Sequence, residues 1–422
     1  MADEMEQQLR TKIAAQKASI VELPTLRSIV DETGLTSPET KARAQLIEYL
    51  SDDEEKLELL LESKRVSAVV RLQDELHPPQ NSEDCPICLE TIKHVNRMTI
   101  KRLFCCGGWI CKQCGFERIK DEEEGLADKF RGKCPLCRES IPDANDHKKI
   151  ITLTSNHANK GRAWAQANVG TWYLRGLHGF ALDKQKGLQF IKQAADQRWP
   201  DALFEMAMEY RVETLERDES KYMYYLKEAA NLGHPDAQRM LGAYDRQKDD
   251  NIMLLHYITL AASQGNSTAC GILGHYFSSA EWCPCGLTKS LILAKHYSKM
   301  SLEEDEDGHP LPAFNLSLAL YRLGLQRYEE IMEIPGHSPI PKALFWARKG
   351  LEDETFPLRD NLTFILSAME NEVKNHCANC RKKTECSSLK RCIRCLGAWY
   401  CGKDCQVQHW KAGHKIDCIK RK

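Results

Sequence analysis

The sequence predicts a mainly α chain in which two small cysteine-rich modules flank an array of paired helices. Three observations carry this. Of 19 cysteines, eight lie between Cys85 and Cys137 and eight between Cys377 and Cys418, leaving Cys270, Cys283 and Cys285 elsewhere. Between the islands, alanines recur at an interval suited to a pair of helices. Ahead of the first island stands an acidic segment with helix-start signals.

Composition sets the outer bounds. A chain of 422 residues with 42% hydrophobic content has room for about three or four domains with ordinary cores. Its net charge of −1 favours no class of partner. The opening MADEMEQQLR lacks the basic and apolar regions of a secretory signal, and no run approaches the ~18 apolar residues of a membrane span. A reducing compartment, cytoplasm or nucleus, with no membrane, is therefore expected. There disulfides do not persist, and paired thiols read as metal ligands. One Cys-x-x-Cys pair would fit a redox centre, a disulfide or a metal clip, whereas a family of pairs favours the metal.

Residues 1–80 are expected to form a helical leader, with 16 Asp/Glu against 10 Lys/Arg. SPET at 37–40 supplies a serine cap and Pro38 at the first helical position, and SDDE at 51–54 reads as a capping box before a leucine-rich helix ending by Pro78-Pro79. The stretch LPTLRSIVDETGLTSPETKARAQLIEYL resembles a SAP-type helix-loop-helix, a small DNA-binding motif. Its loop after Gly34-Leu35 is longer than in that motif and it has few basic residues to meet phosphates, which argues against nucleic acid. A helical cap or partner-binding leader is the alternative.

The first island, residues 82–142, pairs Cys85 with Cys88, Cys105 with Cys106, Cys111 with Cys114 and Cys134 with Cys137. Eight thiolates suffice for two tetrahedral zinc sites, closed and hence structural. An iron–sulfur cluster is the other metal reading. In their order CPICLE, LFCCGGWICKQC and CPLCRE resemble a RING domain. The resemblance implies a cross-brace, with Cys85, Cys88, Cys111 and Cys114 on one zinc and Cys105, Cys106, Cys134 and Cys137 on the other. Adjacent Cys105-Cys106 departs from the histidine usual in that pair, and needs a tight turn that Gly107-Gly108 can permit. It further implies contacts to a ubiquitin-conjugating enzyme through Ile87, Trp109 and Pro135. Arg138, just after the final cysteine, falls where the family clamps ubiquitin, a task suited to the planar guanidinium. Ile87 and Trp109 could instead serve as core, and Arg138 as an ordinary exposed charge.

From 160 to 365 the alanines set the pattern. QAADQRWPDA (193–202), EAANLGHPDA (228–237) and LAASQGNSTA (260–269) share an Ala-Ala pair and a closing alanine. The closing residues Ala165, Ala202, Ala237, Ala269 and Ala313 are 37, 35, 32 and 44 residues apart. This is the period of a two-helix solenoid whose small residues let helices approach. Trp172, Tyr173, Tyr224 and Tyr225 are then expected in the core. YLRGLHGFALDKQKGLQFIKQAADQRWPDA resembles the Sel-1-like repeat, which implies a protein-binding scaffold of about five units. Arg198-Trp199 stands where the repeat has glycine and its neighbour, and unit lengths become irregular after about residue 270. Cys283-Pro-Cys285 is read as a loop feature.

The second island, residues 377–418, carries CANC, CIRC, YCGKDC and HKIDC: seven cysteines and His414 as ligands. YCGKDCQVQHW followed by HKIDC resembles the MYND zinc finger. The resemblance implies one zinc on Cys377, Cys380, Cys401 and Cys405, a second on Cys392, Cys395, His414 and Cys418, and a proline-containing peptide as partner. Cys386 and His409 lie outside the pattern. Residues 371–422 hold 13 Lys/Arg against 4 Asp/Glu, an excess that seven thiolates around two zinc ions partly offset.

Taken together the resemblances imply a RING-type ubiquitin-protein ligase with four structural zinc ions per chain, in which repeats and MYND finger recruit a protein substrate to the ubiquitin-loaded conjugating enzyme. The alternative is a non-catalytic zinc-binding scaffold or transcriptional adaptor. A MYND-linked lysine methyltransferase lacks any cofactor-binding motif in this chain.

Overall fold

The computed structural model describes residues 2–23, 38–78, 82–93, 95–96, 99–115, 132–143, 145–211, 218–247, 251–279, 287–303, 310–326, 340–354, 357–379, 389–415 and 418. It is mainly α-helical, as the sequence predicts. Contacts divide the chain into two compact units, one of Val69–Asn266 and one of Met1–Ala68 with Ser267–Lys422.

The unit Val69–Asn266 holds the first cysteine island and a run of helices. The island contributes two short antiparallel hairpins, β1 (Glu83–Asp84) with β2 (Thr91–Ile92) and β3 (Ile100–Leu103) with β4 (Gly108–Cys111). Helices α3 (His147–Asn159), α4 (Ala163–Arg175), α5 (Lys184–Asp196), α6 (Pro200–Arg211), α7 (Glu219–Asn231), α8 (Pro235–Gln247) and α9 (Asn251–Ser263) follow, each packed on its sequence neighbour.

The predicted alanines lie where these helices meet. Ala165, Ala194, Ala202, Ala229, Ala230, Ala237 and Ala261 are all fully buried. Gly170 on α4 and Gly187 on α5 approach so closely that a Cβ on Gly170 would fall 2.7 Å from the Ile191 side chain. Asp183 and Asp218 cap α5 and α7, accepting from the amides of Lys186 at 2.9 Å and Lys221 at 3.0 Å.

The turn after each Ala-Ala pair is closed in the same way. Trp199 N–H donates to the Ala194 carbonyl, His234 to Ala229 and Asn266 to Ala261. The residue before each donor is left-handed, Gly233 at φ 82° and Gly265 at φ 84°. Such a cap favours glycine. Arg198 occupies it at φ 56° and is held by an ion pair to Glu228 at 2.9 Å. The arginine thus departs from the repeat pattern in sequence and conserves its geometry.

Ala230→Leu tests this packing. The side chain has no room at a fully buried helix contact, and overpacking costs typically about 1–3 kcal/mol. Thermal unfolding should show a clear drop in Tm, and an unchanged Tm would contradict the assigned repeat register.

In the unit Met1–Ala68 with Ser267–Lys422, α1 (Ala2–Glu22) precedes α2 (Pro38–Leu76), whose residues to Ala68 belong here. The predicted capping box at Ser51 is corrected. α2 runs unbroken through SDDE, because no proline or glycine interrupts the stretch and its carboxylates find partners elsewhere. Asp53 is buried and accepts from Gln16 Nε2 at 2.9 Å and Lys12 Nζ at 2.8 Å. Burial opposes its charge, yet these donors hold its carboxyl below the usual range. Pro38 does occupy the first helical position. Half of the stretch expected as a helix-loop-helix, 24–37, lies outside the described residues, and the rest opens α2.

Helices α10 (Ser267–Ser278), α11 (Leu291–Glu303), α12 (Pro310–Gln326), α13 (Ile340–Gly350) and α14 (Arg359–Lys374) also pack in sequence order. α2 docks on α11 through Glu55 to Lys295 at 2.8 Å and Glu62 to the Tyr297 hydroxyl at 2.6 Å. The second island adds the hairpin β5 (Lys390–Arg391) with β6 (Trp399–Tyr400), then α15 (Lys403–His409) running into a π-helical turn at Trp410–His414. Arg348 of α13 donates to the carbonyl of Cys395 at 3.2 Å and pairs with Glu370 at 2.8 Å. Cys283, Cys285 and Cys386 lie outside the described residues.

Candidate metal centres

In the first island the sulfurs gather in two interleaved sets. Cys85, Cys88, Cys111 and Cys114 form one, and Cys105, Cys106, Cys134 and Cys137 the other, with all ligand atoms of a set within 4.8 Å of one another. Each set takes one pair from a Cys-x-x-Cys turn and one from an end of the β3–β4 hairpin, so the chain crosses between them three times. Cys88 and Cys111 are 3.7 Å apart, Cys85 and Cys114 4.0 Å, Cys106 and Cys134 3.8 Å, Cys105 and Cys137 3.6 Å. A disulfide requires about 2.0 Å. Four sulfurs at about 2.3 Å from a tetrahedral zinc lie about 3.8 Å from each other, which these separations match.

The local chain explains the clustering. In the turns of Cys85, Cys134 and Cys392 the amide of the fifth residue returns to the first carbonyl: Leu89 to Cys85 at 2.8 Å, Arg138 to Cys134 at 3.0 Å, Leu396 to Cys392 at 3.0 Å. That fifth residue is left-handed in all three, with φ of 61° at Leu89, 66° at Arg138 and 54° at Leu396. The loop so formed aims amides at sulfur, as Leu136 N–H does at Cys134 Sγ at 3.4 Å and Gly397 N–H at Cys395 Sγ at 3.3 Å. The adjacent Cys105-Cys106 pair is accommodated by Gly107 at φ 75°, where a Cβ would fall 2.9 Å from the His157 ring.

Electrostatics within the sets fit a cation. Burial alone would raise the Cys85 thiol, but the amides of Cys111, Cys88 and Ile87 outweigh it and lower the pKa to about 6. Cys134 is likewise lowered to about 7, burial being outweighed by the amides of Cys137 and Leu136. Cys105 and Cys114 are pushed up, by burial first and then by neighbouring sulfurs. Without a cation, Cys85 and Cys134 are favoured as thiolates, while Cys88 and Cys114 in one set and Cys105 and Cys106 in the other resist ionisation. A divalent ion removes that conflict.

In the second island Cys392, Cys395, His414 and Cys418 form one buried set, and Cys377, Cys401 and Cys405 another. Cys392 and Cys418 are 3.7 Å apart, Cys395 Sγ and His414 Nε2 3.6 Å, Cys401 and Cys405 3.4 Å. Cys380, the fourth expected ligand beside Cys377, lies outside the described residues. The Cys395 thiol donates to Cys392 and draws its pKa down to about 3 despite burial, while Cys418 is raised to about 11 by burial and the Cys392 charge. His409, outside the ligand pattern, is buried, stacks on His414 at 4.8 Å between ring centroids, and meets the Tyr400 hydroxyl through Nδ1 at 3.0 Å. It therefore fixes the ring that carries Nε2 to the site.

The expected contact residues divide. Ile87 is 47% exposed at the tip of its turn, Arg138 is exposed and Pro135 half-buried. Trp109 is corrected: at 9% exposure it belongs to the core of the module, with its indole Nε1 donating to Glu83 Oε2 at 3.2 Å. It is grouped with Val95, Ile100 and Leu103 in the buried core of the module, leaving little area for a partner. Leu89 and Leu136, at 75% and 37% exposed, were not singled out from the sequence. Their signal is position, each being the apolar residue of a Cys-x-x-Cys turn that the loop cannot bury.

The module is seated on the repeats of its own unit. Arg102 lies over the rings of both Trp164 and Trp199, at 4.9 and 5.6 Å from their centroids. Asn96 donates to the Gly233 carbonyl and to Gln264 Oε1, both at 3.0 Å. His157 Nε2 donates to the Phe104 carbonyl at 3.1 Å.

Comparison with known proteins gives a family match for the second island and partial similarities elsewhere. Residues 377–418 match the family model of the MYND finger, a zinc-binding module. Ubiquitin carboxyl-terminal hydrolase 16 of Arabidopsis thaliana is 31% identical over 98 residues, 23% of this chain and 8% of the hydrolase. The chain thus spans less than a tenth of that relative. Among solved structures, a Sel1 repeat protein from Oxalobacter formigenes is 20% identical, with TM-score 0.39 over 49% of this chain and 80% of its own. A protective antigen of uropathogenic Escherichia coli with an SLR fold is 18% identical, with TM-score 0.36 over 71% of this chain and 64% of its own. Among the described residues no helix is long and apolar enough to cross a membrane.

Proposed function

We propose that the chain is a RING-type ubiquitin-protein ligase carrying four structural zinc ions. The observation that supports this most is the interleaving of the two cysteine sets in the first island, with Ile87 exposed at one turn and Arg138 at the other. Such a module needs no nucleophile. Its contribution is to hold a conjugating enzyme and its thioester-linked ubiquitin in a reactive pose, which is catalysis by positioning. The helical repeats and the MYND finger are the substrate-recruiting parts, the finger taking a proline-containing peptide.

A non-catalytic scaffold is the second reading. The same fold, with a MYND finger at 377–418, suits protein interaction without ubiquitin transfer. The two are separated by incubating purified full-length protein with ubiquitin-loaded conjugating enzymes from a broad panel and measuring discharge onto free lysine. Acceleration with at least one conjugating enzyme is expected; inactivity with all of them would leave the scaffold.

A further inference from the structure

We propose that Cys401 and Cys405 are an oxidation site: hydrogen peroxide joins them in a disulfide, and the second cysteine island thereby gives up one zinc ion while its other set keeps its own. This rests on the reading of that island as a zinc module and stands whether or not the chain transfers ubiquitin.

A cysteine that ligates a metal is held as thiolate, the form that attacks peroxide, so access decides which ligand reacts. Among the described residues two cysteines of the four sets are exposed, Cys88 and Cys401. What stands beside each separates them. The sulfur 3.7 Å from Cys88 is that of Cys111, buried in the core of its module with Cys85 and Cys114. The sulfur 3.4 Å from Cys401 is that of Cys405, only half-buried. Cys401 also stands outside the apolar core of its island, which contains Cys377, Cys392, Cys395 and Cys418.

The chain has room to close the pair. A disulfide brings the sulfurs to about 2.0 Å. Gly402, between Cys401 and α15, is extended at φ −165°, and a Cβ there would meet nothing within 4 Å. Nothing comparable is open in the other set of the island, where Cys392, Cys395, His414 and Cys418 are all buried and the buried Tyr400 and His409 pack on the His414 ring.

The chemistry balances. The Cys401 thiolate attacks one peroxide oxygen, the O–O bond breaks, and hydroxide leaves. The Cys405 thiolate then attacks the sulfur of the sulfenic acid so formed, displaces a second hydroxide and closes the S–S bond. Two thiolates lose two electrons to one hydrogen peroxide, and two protons from solvent convert the hydroxides to water. Cys377 and the expected Cys380 are then the only ligands left to that site, half of what a closed tetrahedral site needs.

The test treats the metal-saturated full chain with hydrogen peroxide, removes small molecules, and reads zinc by elemental analysis and each cysteine by alkylation and mass spectrometry. Zinc should fall from four ions to three per chain, with Cys401 and Cys405 the first cysteines protected from alkylation and joined to each other. A thiol reductant with added zinc should restore four. Cys401→His keeps a zinc-ligating side chain without an oxidisable sulfur and should slow the release at least about tenfold. Should that variant fail to take up its metal, the disulfide map of the wild type decides alone. First oxidation at Cys88 or in the buried set, a disulfide from Cys401 to any other cysteine, loss of all four ions together, or no loss under about a tenfold excess of peroxide over cysteine would overturn the proposal and leave the zinc reading intact. A second island that holds no zinc before treatment would overturn both.

Discussion

Cys134→Ser is expected to unfold the first cysteine island and leave the second metallated. Cys134 is fully buried, and its sulfur accepts the amides of Leu136 and Cys137. Serine supplies a harder, shorter ligand that neither reaches the metal nor receives those bonds. The loss spreads, because the interleaved sets share the β3–β4 hairpin: Cys105 and Cys106 sit at one end and Cys111 and Cys114 at the other. In modules this small zinc binding is folding free energy, about 10–16 kcal/mol per structural site in zinc-finger peptides. The metal count should fall from four to two. Because Arg102, Asn96 and Phe104 anchor the island to α3–α9, the repeats of that unit should also melt earlier. Elemental analysis with thermal unfolding checks both, and simultaneous loss of all four zinc ions would contradict the independence of the islands.

Ile87→Ala and Arg138→Ala are expected to slow ubiquitin discharge strongly, for different reasons. Neither residue is a zinc ligand, so metal content should be retained in both. Ile87 offers an exposed apolar side chain; in a small interface a few such anchors carry about 2 kcal/mol or more each, so affinity for the conjugating enzyme should fall about thirtyfold. Arg138→Ala should leave that affinity intact and slow discharge by about 10²-fold, the scale set by a mispositioned reactant. The backbone supplies a control. Arg138 is left-handed at φ 66°, a conformation glycine adopts without strain, so Arg138→Gly removes the guanidinium while easing the turn. It should be at least as stable as wild type and as slow as Arg138→Ala. Both arginine variants discharging at the wild-type rate with zinc retained would remove the clamp role.

Much of the fold was legible because its signals are local. An Ala-Ala pair and a closing alanine report one helix contact each, and Ala194, Ala229 and Ala261 lie where that spacing puts them. Paired cysteines report turns that the backbone forms within five residues. What failed depended on distant partners. Ser51 and the acidic residues after it look like a cap until Lys12 and Gln16 claim Asp53. Trp109 matches a contact position in sequence yet is buried in the core of the module. The seating of Asn96 on Gln264 and of Arg102 on Trp164 and Trp199 joins residues far apart in sequence, and no spacing rule signals it.

Sixteen residues are expected to close four tetrahedral sites, and fifteen of them are among the described residues and gather in four sets. Elemental analysis of the purified, metal-saturated full chain measures this directly. Four zinc ions per chain are predicted, and two or fewer would mean that one cysteine island is not a metal module at all.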